Sequence, residues 1–176
     1  KYSGSDGWNA QAGIKVTNFD RNSGQLSNTS ESGVPLWEAN MLTRRLEGWA
    51  KVGKVFLNRP EASIGLQLSG AIHDQEAQFG NQVYDAEQQF AYANLLYQDI
   101  IGDNTHRFKT GLSFQWDQYA ELLGAGTFNR NERVPGAFFE YTYQPGDQFT
   151  AVAGLRGDQH NQFGFFLTPR LHLRYA

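Results

Sequence analysis

A chain of 176 residues with 40% hydrophobic, 14% aromatic and 19% charged side chains is one domain, large enough for a soluble core. A mean hydropathy of −0.56, with no apolar run of about 18 residues, excludes a helical membrane protein but not a β-barrel, whose lumen and loops dilute the average. The net charge of −3 argues against a general nucleic-acid binder, and the lack of cysteine removes disulfide and thiol chemistry.

The opening Lys1–Gly7 is polar and Gly/Ser-rich rather than a signal peptide, so the chain is expected to be mature or a fragment. From Trp8 onward, apolar and aromatic residues recur at every second position. Trp8, Ala10, Ala12, Ile14 and Val16 form one row, backed by Asn9, Gln11, Gly13, Lys15 and Thr17. Period two means strands with one apolar and one polar face. Eight strands are expected near Trp8–Phe19, Thr43–Phe56, Ser63–His73, Gln88–Asp99, His106–Tyr119, Pro135–Gln144, Phe149–Gln159 and Leu167–Tyr175. A helical turn is signalled at most in Asp85–Gln89.

The connections alternate in length. Arg21–Leu42, Asp74–Glu87, Ala120–Val134 and His160–Phe166 are mostly long and polar, whereas Leu57–Ala62, Ile100–Thr105 and Pro145–Gln148 are short turns. An up-and-down meander with its long loops at one end is the layout of an antiparallel transmembrane β-barrel, with short periplasmic turns and long extracellular loops. Ser63–His73 has the length that a tilted strand needs to cross hydrocarbon, with Ile64, Leu66, Leu68, Gly70 and Ile72 outward. Trp8, Phe56, Tyr97, Phe108, Tyr143, Phe149 and Tyr175 form a girdle beside the short turns, and Phe19, Trp116 and Tyr119 begin the opposite one. Two strands have no clean phase: Trp49 falls opposite Leu46, Ala50 and Val52, and Phe90/Tyr92 compete with Ala93/Leu95/Tyr97. The inward glycines Gly13, Gly65, Gly111, Gly136 and Gly154 are either room in a wide barrel or bend and bulge positions.

No constellation carries catalysis, and the chain is expected not to be an enzyme. His73, His106, His160 and His172 lack metal-ligand spacing, no Gly-x-Ser-x-Gly elbow or phosphate loop occurs, and no cofactor is expected. The Asn28-Thr29-Ser30 sequon matters only in a eukaryotic secretory context. Two sets of candidate ligand contacts stand out. Glu140, Arg156, Asp158, Arg170, His172 and Arg174 share the inward face of the last strands, either as a docking wall or as a salt-bridge ladder. Trp37, Phe79, Tyr84, Phe128, Phe163, Phe165 and Phe166 tip the long loops, where they cap a ligand or pack loop on loop.

Three stretches carry a resemblance: Ser32–Phe56, His106–Tyr119 and above all Glu132–Ala176, with Val134–Pro135–Gly136–Ala137–Phe138–Phe139–Glu140–Tyr141 and Thr168–Pro169–Arg170–Leu171 the most recognisable runs. They resemble the barrel of TonB-dependent outer-membrane receptors of the Bacteroidota type. The resemblance implies a barrel of about 22 strands, an amino-terminal plug, and a segment that engages the inner-membrane TonB complex. No plug-like stretch is present, and Arg174–Tyr175–Ala176 departs from the aromatic ending usual in outer-membrane barrels. Residues 1–176 are therefore expected to be an internal portion of the barrel. The implied function is energised uptake of a scarce nutrient (a metal chelate, a cobalamin-like molecule or an oligosaccharide) across the outer membrane of a Gram-negative bacterium. The implied partners are outer-membrane lipid, the plug and remaining strands, the TonB complex through that plug, and a small-molecule ligand. A self-contained structural or adhesive barrel is the alternative, and a soluble barrel around an apolar ligand a third.

Overall fold

The computed structural model describes residues 2–25 and 37–176. The Asn28-Thr29-Ser30 sequon and the start of the Ser32–Phe56 run lie outside the described residues, as does the middle of the Arg21–Leu42 connection. The described residues form β1 (Tyr2–Ser3), β2 (Trp8–Gly24), β3 (Glu38–Phe56), β4 (Arg59–Phe79), β5 (Gln82–Ile101), β6 (Asp103–Leu123), β7 (Gly126–Tyr143), β8 (Phe149–His160) and β9 (Gly164–Tyr175). No helix occurs among them, and Asp85–Gln89 is strand. All nine strands join one antiparallel up-and-down sheet in sequence order. The eight expected strands are there, preceded by the short β1.

The strands run past their expected ends. Most of Asp74–Glu87 and Ala120–Val134, and much of His160–Phe166, continue the ladders instead of looping out. The β4–β5 and β6–β7 hairpins close on Gly80 and Gly124, both at φ 59°, a conformation that side chains resist. The two ends of the sheet thus differ in hairpin height more than in loop length.

Register settles the faces. One ladder crosses every strand through Tyr2, Ala10, Val52, Leu66, Leu95, Leu112, Ala137, Gly157 and Leu167, apolar throughout. The adjacent ladder on the reverse reads Gln11, Lys51, Gln67, Asn94, Ser113, Gly136, Asp158 and Phe166. The two ambiguous strands resolve with Trp49, Phe90 and Tyr92 on the polar face and Ala91, Ala93, Leu95 and Tyr97 on the apolar one.

The apolar face is a band of finite height. Beyond Val16, Leu46 and Ile72 the same face continues as Asn18, Arg44, Asp74 and Glu87, then Asp20, Leu42, Glu76 and Asp85, polar but for Leu42. At the other end the band finishes in aromatics packed in series: Tyr97 on Phe108 at 6.0 Å, Phe108 on Phe139 at 6.0 Å, and Tyr143 on Phe149 at 6.3 Å. Below them Asp99 accepts hydrogen bonds from Arg59 at 2.7 Å and the Tyr97 hydroxyl at 2.6 Å, tying the β3–β4 turn to β5.

No second layer covers either face, since each strand touches only its sequence neighbours. Among the described residues the buried apolar ones are four alanines, Ala39, Ala62, Ala71 and Ala77, while Leu112 is 60% exposed and Ile14 81% exposed. The sheet does not close, because β9 pairs with β8 alone.

Pro135 sits where a missing N–H is harmless. Pairing alternates between residues that exchange both backbone hydrogen bonds and residues that exchange none. Gln144 N–H donates to Thr105, so Pro135, an odd number of residues away, turns its nitrogen from β6 toward β8. The β7–β8 ladder stops beside it, at Gly136–Asp158. Above that point Asn161 substitutes for a strand: it accepts from Arg133 N–H at 2.9 Å, donates its own N–H to Arg133 O at 3.1 Å, and donates its side-chain amide to Asn131 O at 2.8 Å.

Candidate functional site

On the polar face Glu47 is paired with Lys15 at 3.3 Å and Arg45 at 2.9 Å across β2 and β3, and three further groups of ionisable side chains lie on β5 to β9. Nearest the tall hairpins, Asp117 is 4% exposed and accepts from Gln115 Nε2 at 2.7 Å, Gln88 Nε2 at 3.3 Å and the Tyr119 hydroxyl at 3.3 Å. These are neutral donors, sufficient to satisfy a carboxylate whose own strand holds it at the sheet surface. Beside it Arg130 lies over the Tyr119 ring at 4.5 Å and reaches Glu121 at 3.6 Å and Glu132 at 3.8 Å. The Tyr84 hydroxyl donates to Glu121 at 3.1 Å; burial first, then that carboxylate, pushes its pKa above the usual tyrosine value.

Farther down, Arg156 makes a forked contact with Asp158 at 2.7 and 2.6 Å and donates to Ser113 Oγ at 2.8 Å. This requires Gly136. A Cβ there would overlap the Asp158 carboxylate and stand 2.9 Å from the Arg156 guanidinium. The third pair is Arg170 with Glu140 at 3.4 Å, reached across Gly154, whose bare backbone leaves the path open.

Inward glycines at Gly13 and Gly111 serve the same purpose for rings. A Cβ on Gly13 would meet the Trp49 indole at 2.7–2.9 Å, and one on Gly111 the Phe138 ring at 2.6 Å. Each glycine pairs directly with the aromatic that fills its place. The holes expected at Gly13, Gly111 and Gly136 are thus occupied by neighbouring side chains.

The six expected lumen residues share one face but not one cluster. Arg156–Asp158 and Arg170–Glu140 are separate pairs, while His172 and Arg174 have no ion-pair partner among the described residues. The seven expected loop aromatics scatter. Tyr84, Phe128 and Phe166 are in strands on the polar face, Phe79 ends β4 on that same face, and Phe165 lies on the apolar face over Gly157. Phe163 packs on His160 at 4.7 Å in the β8–β9 turn, and Trp37 packs on Gly80. They do not converge on one pocket.

The Asp117 network was not singled out from sequence, because Glu121, Arg130 and Glu132 lie in Ala120–Val134, which reads as loop. The available signal was Gln88, Gln115, Asp117 and Tyr119 in phase on two expected neighbouring strands. No family model, curated protein or solved structure matches the chain.

Proposed function

We propose that this sheet is part of the wall of an outer-membrane β-barrel, turning its apolar band to lipid and its polar face to a wet lumen. The observation that carries the reading is the slant of the band across the ladders. Trp8 stands in the same ladder as Pro169, yet the girdle continues to Tyr175, six residues farther along β9 (175 − 169). Six residues at ~3.4 Å, over seven strand spacings of ~4.8 Å, place the girdle at about 30° to the ladders. Strands in a membrane barrel tilt by a similar angle, ~35–45°, so a girdle level with the membrane must cross the ladders obliquely. A soluble sandwich supplies no reason for two boundaries on one face and no second layer.

Band height agrees. Along β4 it runs from Ala62 to Ile72, 11 residues (72 − 62 + 1), which matches the ~9–11 residues a tilted strand needs.

Within this reading the chain is a portion of a TonB-dependent receptor that takes up a small nutrient, a metal chelate, a cobalamin-like molecule or an oligosaccharide, in a Gram-negative outer membrane. The polar networks support the lumen assignment: Arg130 with Glu121 and Glu132, Arg156 with Asp158 and Arg170 with Glu140 pair charge with charge, and neutral donors meet Asp117, on a face that meets water.

The test has two parts. Since the chain has no cysteine, labels at Leu112→Cys and Gln67→Cys are site-specific. In vesicles, brominated acyl chains should quench the first and not the second; a water-exposed label at Leu112 overturns the membrane reading. Uptake of labelled ferric chelate, cobalamin and oligosaccharide, with and without the chain and with energy coupling poisoned, then tests transport.

A further inference from the structure

We infer that Arg107 and Lys109, at the short-turn end of the polar face, hold the phosphoryl group of a small organic molecule. The inference goes beyond the barrel reading and asks of it only that this face meets water. The two side chains are consecutive same-face residues of β6, about 7 Å apart along the strand. They border a cavity of about 560 Å³ on the polar face, with Gln98 and Ile100 opposite them on β5, Thr142 beside Arg107 on β7, and Glu61 of β4 on the far wall.

This pair stands out because the carboxylates near it are committed elsewhere. Glu140 is the direct cross-strand partner of Lys109, yet it reaches over Gly154 to Arg170 at 3.4 Å. Asp99, which also lines the cavity, accepts from Arg59 at 2.7 Å and from the Tyr97 hydroxyl at 2.6 Å. Lys109 makes no hydrogen bond or ion pair among the described residues, and Arg107 only donates its Nε to the Asn104 carbonyl at 3.1 Å. By contrast, Arg45, Arg130, Arg156 and Arg170 on the same face each meet a carboxylate within 3.6 Å.

The occupant's chemistry follows. A guanidinium and an ammonium side by side carry the charge that offsets a dianion, and a planar fork next to a point charge suits the tetrahedral oxygens of a phosphate. The Gln98 amide and the Thr142 hydroxyl add neutral donors at the same cavity. Its volume is that of a small-molecule site rather than of a bare ion, and Ile100 offers the organic part an apolar surface. Glu61 opposes an anion only weakly, because two strand spacings, about 10 Å, exceed the screening length at physiological salt.

Equilibrium dialysis of radiolabelled glycerol phosphate and inorganic phosphate against the full chain in lipid vesicles tests this. Glycerol phosphate should bind saturably and more tightly than inorganic phosphate; binding of inorganic phosphate alone overturns the organic occupant, and binding of neither overturns the site. Arg107→Gln and Lys109→Gln should each weaken binding about tenfold, and unchanged binding in both overturns the assignment. Lys109→Gln removes no contact of the fold, so it decides even where Arg107→Gln loosens the β5–β6 turn. Glu61→Gln should tighten binding, by about twofold at low salt; weakening there would mean a zwitterion held at both ends and overturns the phosphoryl reading. Acetate competing as well as phosphate overturns it too. Quenching of a Leu112→Cys label reports the barrel reading separately: lipid contact without phosphate binding sinks this inference alone, and water contact with phosphate binding sinks the barrel alone.

Discussion

The Trp49 indole fills the space that a side chain on Gly13, its direct cross-strand partner, would occupy. A large ring in a face of modest side chains is accommodated because the residue opposite has none. Phe138 over Gly111 repeats the arrangement, and Arg156–Asp158 over Gly136 extends it to an ion pair.

Filling such a niche should destabilise. Gly111→Ala puts a methyl against the Leu95 carbonyl and 2.6 Å from the Phe138 ring, an overpacking that costs ~1–3 kcal/mol. Gly48→Ala, with nothing within 4 Å of the new carbon, should be neutral or stabilising by up to ~1 kcal/mol, since alanine loses less entropy on folding. Urea unfolding in lipid vesicles measures both; equal effects would mean the niche is not filled.

A charge should be tolerated on one face and not the other. Leu68→Lys in the band is expected to cost ~2–4 kcal/mol, and Gln67→Lys, one residue away on the polar face, under ~1 kcal/mol even with Lys51 opposite. Ser113 is a poor control, being buried beneath Arg156. The same vesicle titration compares them, and equal costs contradict a lipid-facing band.

The two ion pairs should differ in strength. Arg156 and Asp158 are 39% and 18% exposed and share a forked contact, whereas Arg170 is 67% exposed with one contact to Glu140. Double-mutant cycles with glutamine and asparagine should give a coupling of ~1 kcal/mol for the first pair and ~0–0.5 for the second. A larger coupling at Arg170–Glu140 would refute the ranking.

Asn161 should behave as a substitute strand. Asn161→Ala removes two side-chain hydrogen bonds on the edge of β7, at ~1 kcal/mol each. Exchange at Arg133 should quicken while Phe139, paired with β8, stays protected. Unchanged exchange at Arg133 would show that the cap is not formed in solution.

The faces were legible because Leu66-Gln67-Leu68-Ser69 alternates where one side is apolar and the other polar. Above Ile72 the alternation vanishes, as Asp74, Gln75 and Glu76 are polar on both sides, so Asp74–Glu87 reads as loop although its backbone ladder is unbroken. The glycine niches were illegible for another reason: Gly13 and Trp49 are 36 positions apart (49 − 13), and only register shows that one makes room for the other. The same holds for the ion pairs of the polar face, where phase placed Glu140 and Arg170 on one face but could not tell which carboxylate each arginine would reach.

Because every strand touches only those beside it in sequence, the chain can assemble like a zip. Each hairpin forms from neighbours in the chain, which keeps loop-closure entropy small and favours rapid, stepwise growth. Damage should stay local: substitutions three strands apart share no partner and should add. A sheet built this way has no centre to lose, and its weakest points are its two ends.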